Sequence, residues 1–211
     1  MKILVFGASG GTGQELLRQG LAQGHAVTAF VRNPASVAQR DGLRVTVGDA
    51  KDGTAVGAAM HGQEAVLSAL GARSLLDDTL LPDSMEHILS TMKQHGVRRL
   101  IVLGASGVWP GATRRLSPAM RLFAELLDAT VLRKPFASQR AMQLLIRASD
   151  LDWTVVQPPR LLNVPGRGVY RVDGEALPAG GTQIARADVA AFMLAQLKST
   201  EWVRQSPFLA W

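Results

Sequence analysis

The run Gly7-Ala8-Ser9-Gly10-Gly11-Thr12-Gly13 constrains this chain more than any other stretch. It follows the apolar segment Ile3-Leu4-Val5-Phe6 and opens a helical pattern that carries Leu17 and Leu21 four residues apart. A buried strand, a glycine-rich turn and a helix start, in that order, build a seat for a pyrophosphate. Positions without a side chain let the backbone approach phosphate oxygens, and the unpaired N–H groups of the first helical turn point at them. A purely structural turn is the alternative, and the strand-turn-helix context weighs against it.

Arg32 is the second constraint. The run Ala26-Val27-Thr28-Ala29-Phe30-Val31 is rich in β-formers and free of breakers, and predicts the second strand. In a dinucleotide-binding fold the residue at the end of that strand, about 20 positions past the glycines, meets the adenosine ribose. A carboxylate there would accept from a free 2′-hydroxyl and repel a 2′-phosphate. This chain instead offers Arg32, followed by Asn33-Pro34. A guanidinium presents a planar fork of donors to phosphate oxygens. The expected cofactor is therefore NADP(H) rather than NAD(H), against the alternative of a solvated arginine at a strand end.

At 211 residues, with 47% apolar and 19% charged residues, the chain is expected to form a single ordered domain over residues 1–211. It contains no cysteine, so disulfides, thiol nucleophiles and thiolate metal sites are excluded together. The net charge of +6 comes from dispersed basic residues, and one tyrosine offers little for stacking bases. Nucleic acid is thus not an expected partner; a phosphorylated cofactor and a small anionic acceptor are. His25, His61, His87 and His95 are scattered, and no metal site is expected. The first strand begins directly after Met1-Lys2, and no apolar run reaches membrane-spanning length. The expectation is a soluble cytoplasmic protein, a monomer or weak homodimer.

Further along, the pattern predicts a helix over 14–23 stopped by Gly24, a short helix over 34–40 and a strand over 43–47. A helix over 54–60, a strand over 65–70, a helix over 83–95 and a strand over 99–103 follow. Beyond these come helices over 118–132 and 136–149, separated at Lys134-Pro135, where proline disfavours helix in its predecessor. A strand over 153–157 ends at Pro158-Pro159, loops and short strands fill 160–181, and a helix closes at 187–198. Strands alternating with helices imply an α/β, doubly wound parallel sheet of the Rossmann kind, with a small C-terminal region on the substrate side.

With these elements in place, the chain resembles the atypical short-chain dehydrogenase/reductases. Within them it is similar to the flavin reductase/biliverdin reductase B group and its NmrA-like relatives. The stretches that carry the resemblance are Gly7–Gly13, Val31-Arg32-Asn33, Gly48-Asp49-Ala50, Leu70-Gly71-Ala72-Arg73, Gly104-Ala105-Ser106, Trp153 to Pro159 and Ile184 to Ala190. The resemblance implies that Asp49 and Ala50 border the adenine, although an aspartate there is equally a turn cap. It implies that Leu70, Gly71, Ala72 and Arg73 pass over the pyrophosphate and ribose. Ala105 and Ser106 would lie beside the nicotinamide, with Ser106 as the catalytic candidate, and Pro158 and Pro159 would wall it. Arg160 stands where the biliverdin reductase B pattern has a histidine, and suits either an anionic acceptor or a surface ion pair.

One absence bears on the reaction. Classical members of the superfamily use a Tyr-x-x-x-Lys pair as general acid, and the only tyrosine here, Tyr170, is followed four places on by Gly174. A ketone reduction would lack its usual proton donor. Hydride delivery to a conjugated acceptor such as a flavin, quinone or tetrapyrrole is less demanding, because the charge delocalises. The expected function is an NADPH-dependent reductase of such an acceptor; an NADP(H)-sensing regulator of the NmrA kind is the alternative. Lys134 is either a substitute for the lost lysine or a surface residue. Arg114, Arg115 and Arg121 are either an anion-attracting lid or a solvated face, and Trp109 is a possible pocket wall.

Overall fold

The computed structural model describes residues 1–71, 79–109, 111–112, 114–115, 118–119, 122 and 133–211. Six parallel strands form the central sheet: β1 (Lys2–Phe6), β2 (Ala26–Val31), β3 (Leu43–Val47), β4 (Ala65–Ser68), β5 (Arg99–Leu103) and β6 (Asp152–Val156), in the order β3-β2-β1-β4-β5-β6. The order reverses between β1 and β4, whose registered pairs run from Ile3 opposite Ala65 to Phe6 opposite Ser68. Ligands bind at such a reversal, outside the carboxyl ends of the strands.

Strand alternation divides the core into two layers. Ile3 and Val5 face α1 (Gly11–Ala22) through Leu16 and Leu17, together with a C-terminal helix through Val189, Phe192 and Met193. Leu4 and Phe6 face the other side, where α2 (Gly53–Met60), α3 (Leu80–Gln94) and α4 (Arg133–Ala148) contribute Met60, Met85, Ile88, Met92, Met142 and Ile146. Side chains of alternate strand residues point to opposite faces, so each apolar strand serves both layers. On α3, Leu81, Met85, Ile88 and Met92 recur at helical spacing and are all buried. Burying a side chain of this size contributes roughly 1.5–3 kcal/mol.

The C-terminal part folds back on this frame. β7 (Arg160–Leu162) pairs in parallel with β9 (Gln183–Ala185), which leads straight into α5 (Arg186–Ala195). β8 (Arg171–Asp173) pairs antiparallel with β10 (Phe208–Ala210); Gln205 bridges to Thr154 on β6, and Phe208 to Gln157 just past that strand.

Several boundaries depart from the sequence expectation. Lys134 and Pro135 are helical within α4, which the sequence expectation began at 136. α3 begins at Leu80, with Pro82 in its first turn, rather than at Asp83; proline is tolerated there because the first N–H groups of a helix have no intrahelical partner. The helix expected over 34–40 is a single 3₁₀ turn, Pro34–Ser36, after which Val37 is extended. The expected helix over 118–132 falls almost wholly outside the described residues.

Candidate functional site

A cleft of about 480 Å³ opens at the reversal between β1 and β4. Gly7, Ser9, Gly10, Gly11 and Thr12 form its floor, Val31 and Arg32 one end, and Ala69, Leu70 and Gly71 a wall. The glycines do different work. Gly7 has φ +69°, and a Cβ on it would lie 2.5 Å from the carbonyl carbon of Ala69. A side chain there would push the turn away from the end of β4. Gly13 is buried behind the turn and packs against the carbonyl of Gly7. Gly10 has open space in front of it, with only the Gly7 carbonyl oxygen, at 3.4 Å, near an added Cβ.

Gly10 is the N-cap of α1 and no side chain caps this helix; its first turn carries no acidic residue. Its leading amides therefore face the cleft with the positive end of the helix dipole behind them. The bare cradle and uncapped amides fit a diphosphate.

Arg32 lines the cleft just past β2, with Phe30, Gly48 and Ala50 nearby. Asn33 beside it turns the chain, its Oδ1 accepting the N–H of Ala35 at 3.0 Å. Asp49 is engaged in the same way: its Oδ1 accepts the backbone N–H of Lys51 at 3.0 Å, the turn-capping role weighed above. Ala72, Arg73 and Arg121 lie outside the described residues.

At the other end, Leu103 and Gly104 line the cleft at the tip of β5. Ala105 follows in extended conformation and Ser106 opens a 3₁₀ turn, where it is 7% exposed. Its backbone N–H donates to the carbonyl oxygen of Pro158 at 3.0 Å, tying the end of β5 to that of β6. Pro159 and the exposed Arg160 continue from there into β7.

Three lining residues, Leu80, Gln139 and Leu161, carry no sequence signal that singles them out, and Arg186 was not among the expected site residues. Gln139 projects from α4, and the residue four before it is Pro135. Arg186 opens α5 and lies inside the stretch Ile184–Ala190 that supported the family resemblance.

The remaining candidates have structural partners. Trp109 Nε1 donates to Gln143 Oε1 at 2.6 Å, and the Arg147 guanidinium lies 4.8 Å from its ring centre. Arg114 pairs with Glu175, and Arg115 with Asp173, so these arginines clasp the turn after β8. Lys134 is exposed on α4. Tyr170 packs edge-on against Phe192 with ring centres 5.9 Å apart, and burial pushes its phenol pKa up. The ionisable side chains lining the cleft are Arg32 and Arg186, without a carboxylate, histidine or tyrosine among the described residues. No group of metal-ligating side chains occurs among the described residues, and no described helix is long and apolar enough to cross a membrane.

Strand order, glycine turn and cleft together define a Rossmann fold with the cleft of a dinucleotide-binding protein. The chain belongs to the NAD(P)H-binding family, whose model matches residues 7–200. It is 29% identical to the uncharacterized protein YwnB of Bacillus subtilis, covering 95% of this chain and 94% of that one. It is 31% identical to 2-alkyl-3-oxoalkanoate reductase of Stenotrophomonas maltophilia over 79% of this chain, but spans only 52% of that protein. Among solved structures, a short-chain dehydrogenase/reductase from Veillonella parvula in complex with NADP superposes with a TM-score of 0.81 at 19% identity, covering 100% of this chain and 94% of that one. ChuY, an anaerobillin reductase from Escherichia coli O157:H7, does so with a TM-score of 0.81 at 21% identity, covering 100% and 97%. At these identities the two structures speak for the fold.

Proposed function

We propose that this protein is an NADPH-dependent reductase that passes a hydride to a conjugated acceptor of the flavin, quinone or tetrapyrrole type. One observation carries the reading: among the described residues, the ionisable groups lining the cleft are both arginines. Arginine remains protonated at any working pH, so it attracts phosphates but cannot serve as a general acid.

In this reading residues 1–211 work as one domain. The amides of Gly11 and Thr12 hold the diphosphate, and Arg32 takes the 2′-phosphate through its planar fork. Bound there, a reduced nicotinamide supplies the hydride. Ser106 and Gly104 at the tip of β5, with Pro158 behind them, would fix the plane of the reacting ring. The protein's contribution is mainly orientation, which is worth several kcal/mol when both rings are held in register. Reductases occur among both the sequence and the structural relatives.

The test is an acceptor panel under steady-state conditions, with purified protein, NADPH and, in turn, FMN, dichlorophenolindophenol and biliverdin. The expected result is NADPH oxidation with at least one of them, and little with NADH. Tight NADPH binding with no turnover on any acceptor would reject the reductase and favour the NADP(H)-sensing alternative.

A further inference from the structure

We propose that Arg186, held in place by Asn163, is a second cationic anchor of this site and binds the cofactor's diphosphate. The inference rests on the cofactor reading above and adds a residue and a role to it. Its origin is the register of the small C-terminal sheet, where Leu162 of β7 stands opposite Ala185 of β9. The next residue on each strand is Asn163 and Arg186, so the two emerge side by side. Arg186 Nε donates to Asn163 Oδ1 at 2.7 Å, which fixes the plane of the guanidinium.

The side chain then crosses the start of α1. A Cβ on Gly11 would lie 2.7 Å from Arg186 Cδ and 2.9 Å from its Nε, so Gly11 is bare because an arginine passes over it. Beyond it, the terminal NH1 reaches to 3.5 Å from Thr12 Oγ1. Both of these hydrogen-bond partners are neutral. A permanent cation therefore stands at the amide end of a helix that has neither a side-chain cap nor an acidic residue in its first turn. Alone this is unfavourable, since the helix dipole is positive at that end. An anion between the guanidinium and the amides turns the repulsion into attraction from both sides. Arg32 and Arg186 then divide the work: one reads the 2′-phosphate, the other the diphosphate shared by both nicotinamide nucleotides.

That division sets the experiment. Calorimetry with NADPH, NADH and 2′-AMP is run on the wild type, R186Q, R186K, N163A and R32E. R186Q is expected to weaken NADPH and NADH by the same factor, about 10- to 100-fold for a lost charge-assisted contact, and to leave 2′-AMP unchanged. R32E should remove 2′-AMP binding and weaken NADPH while leaving NADH little changed. R186K, which retains charge without the fork, and N163A, which frees the guanidinium, should each give a smaller, matched loss of both dinucleotides. These two carry the test if R186Q does not fold. Folded variants with wild-type affinity for NADPH would overturn the inference and leave the cofactor reading intact. So would a 2′-AMP loss equal to the dinucleotide loss, because it would show general damage to the cleft. If the folded wild type binds neither NADPH nor NADH, the cofactor reading fails, and this inference with it.

Discussion

A methyl group on Gly13 would stand 2.1 Å from the carbonyl oxygen of Gly7 and 2.7 Å from the Cα of Ala8. Both obstacles are backbone, so neither can rotate aside. The contrast with Gly10 is useful, because that residue has φ −75° and ψ 163°, which alanine adopts freely, and only one contact at 3.4 Å. Gly13→Ala is expected to destabilise the fold by about 3 kcal/mol, as overpacking against fixed neighbours does. Gly10→Ala should melt with the wild type yet bind NADPH more weakly, since its methyl occupies the cleft. Urea denaturation combined with calorimetry separates the two; equal stability losses would contradict the division.

Arg32 lines the cleft at the end of β2, and among the described residues no carboxylate lines it to compete for the guanidinium. Arg32→Glu places a negative charge where a 2′-phosphate would sit and offers an acceptor to a free 2′-hydroxyl. The expected outcome is a loss of NADPH affinity of about 100-fold or more, with NADH changed little or improved. Equal losses for both cofactors would show that the ribose lies elsewhere.

Local signals made most of the frame legible. β2 and β5 fall where apolar β-formers place them, because a buried parallel strand needs no distant partner to be recognised; the edge strand β3 falls where alternating residues end at Gly48. What escaped depends on distant pairing. β10 is three residues long and exists because it pairs with β8, far back in the chain. Arg186 reaches Thr12 across 174 positions, through a β7–β9 register that no sequence period announces. Gln139 faces the cleft because α4 packs against α3 and the sheet, and its own neighbours give no hint of it. Pro82 sits in the first turn of α3, where its missing N–H costs nothing, so the helix begins ahead of the expected Asp83; Pro135, expected to divide two helices, is helical within α4.

Behind Gly104 lies a buried amide pair with a prediction of its own. Gln143 and Gln157 are both 0% exposed, and Gln143 Oε1 accepts from Gln157 Nε2 at 2.8 Å as well as from Trp109 Nε1. Gln143→Leu strands two buried donors, at about 1–3 kcal/mol each. Replacing both glutamines by leucine removes one stranded donor along with its partner. The double variant should therefore be more stable than the sum of the two single losses. Urea titrations of the three variants measure this directly, and strict additivity would mean that the pair is not coupled.

Asp173 supplies the pH dependence. The Arg115 guanidinium beside it, followed by the backbone N–H groups of Glu175 and Ala176, draws its carboxyl down from 3.8 to about 2. A carboxyl that resists protonation in the folded state stabilises the fold fully above the unfolded value. That contribution fades as pH falls from about 4 towards 2. Asp173→Asn retains an oxygen that can accept the two backbone N–H groups but removes the charge facing Arg115. Its thermal midpoint should lie below that of the wild type at pH 7, with the gap narrowing below pH 4 and closing near pH 2. Other carboxylates titrate in both proteins and cancel in the difference. A gap that stays constant across this range would show that the ion pair contributes nothing and that the aspartate acts only through the turn. Because the pair clasps the turn after β8 and does not line the cleft, NADPH affinity at pH 7 should be the same in both proteins.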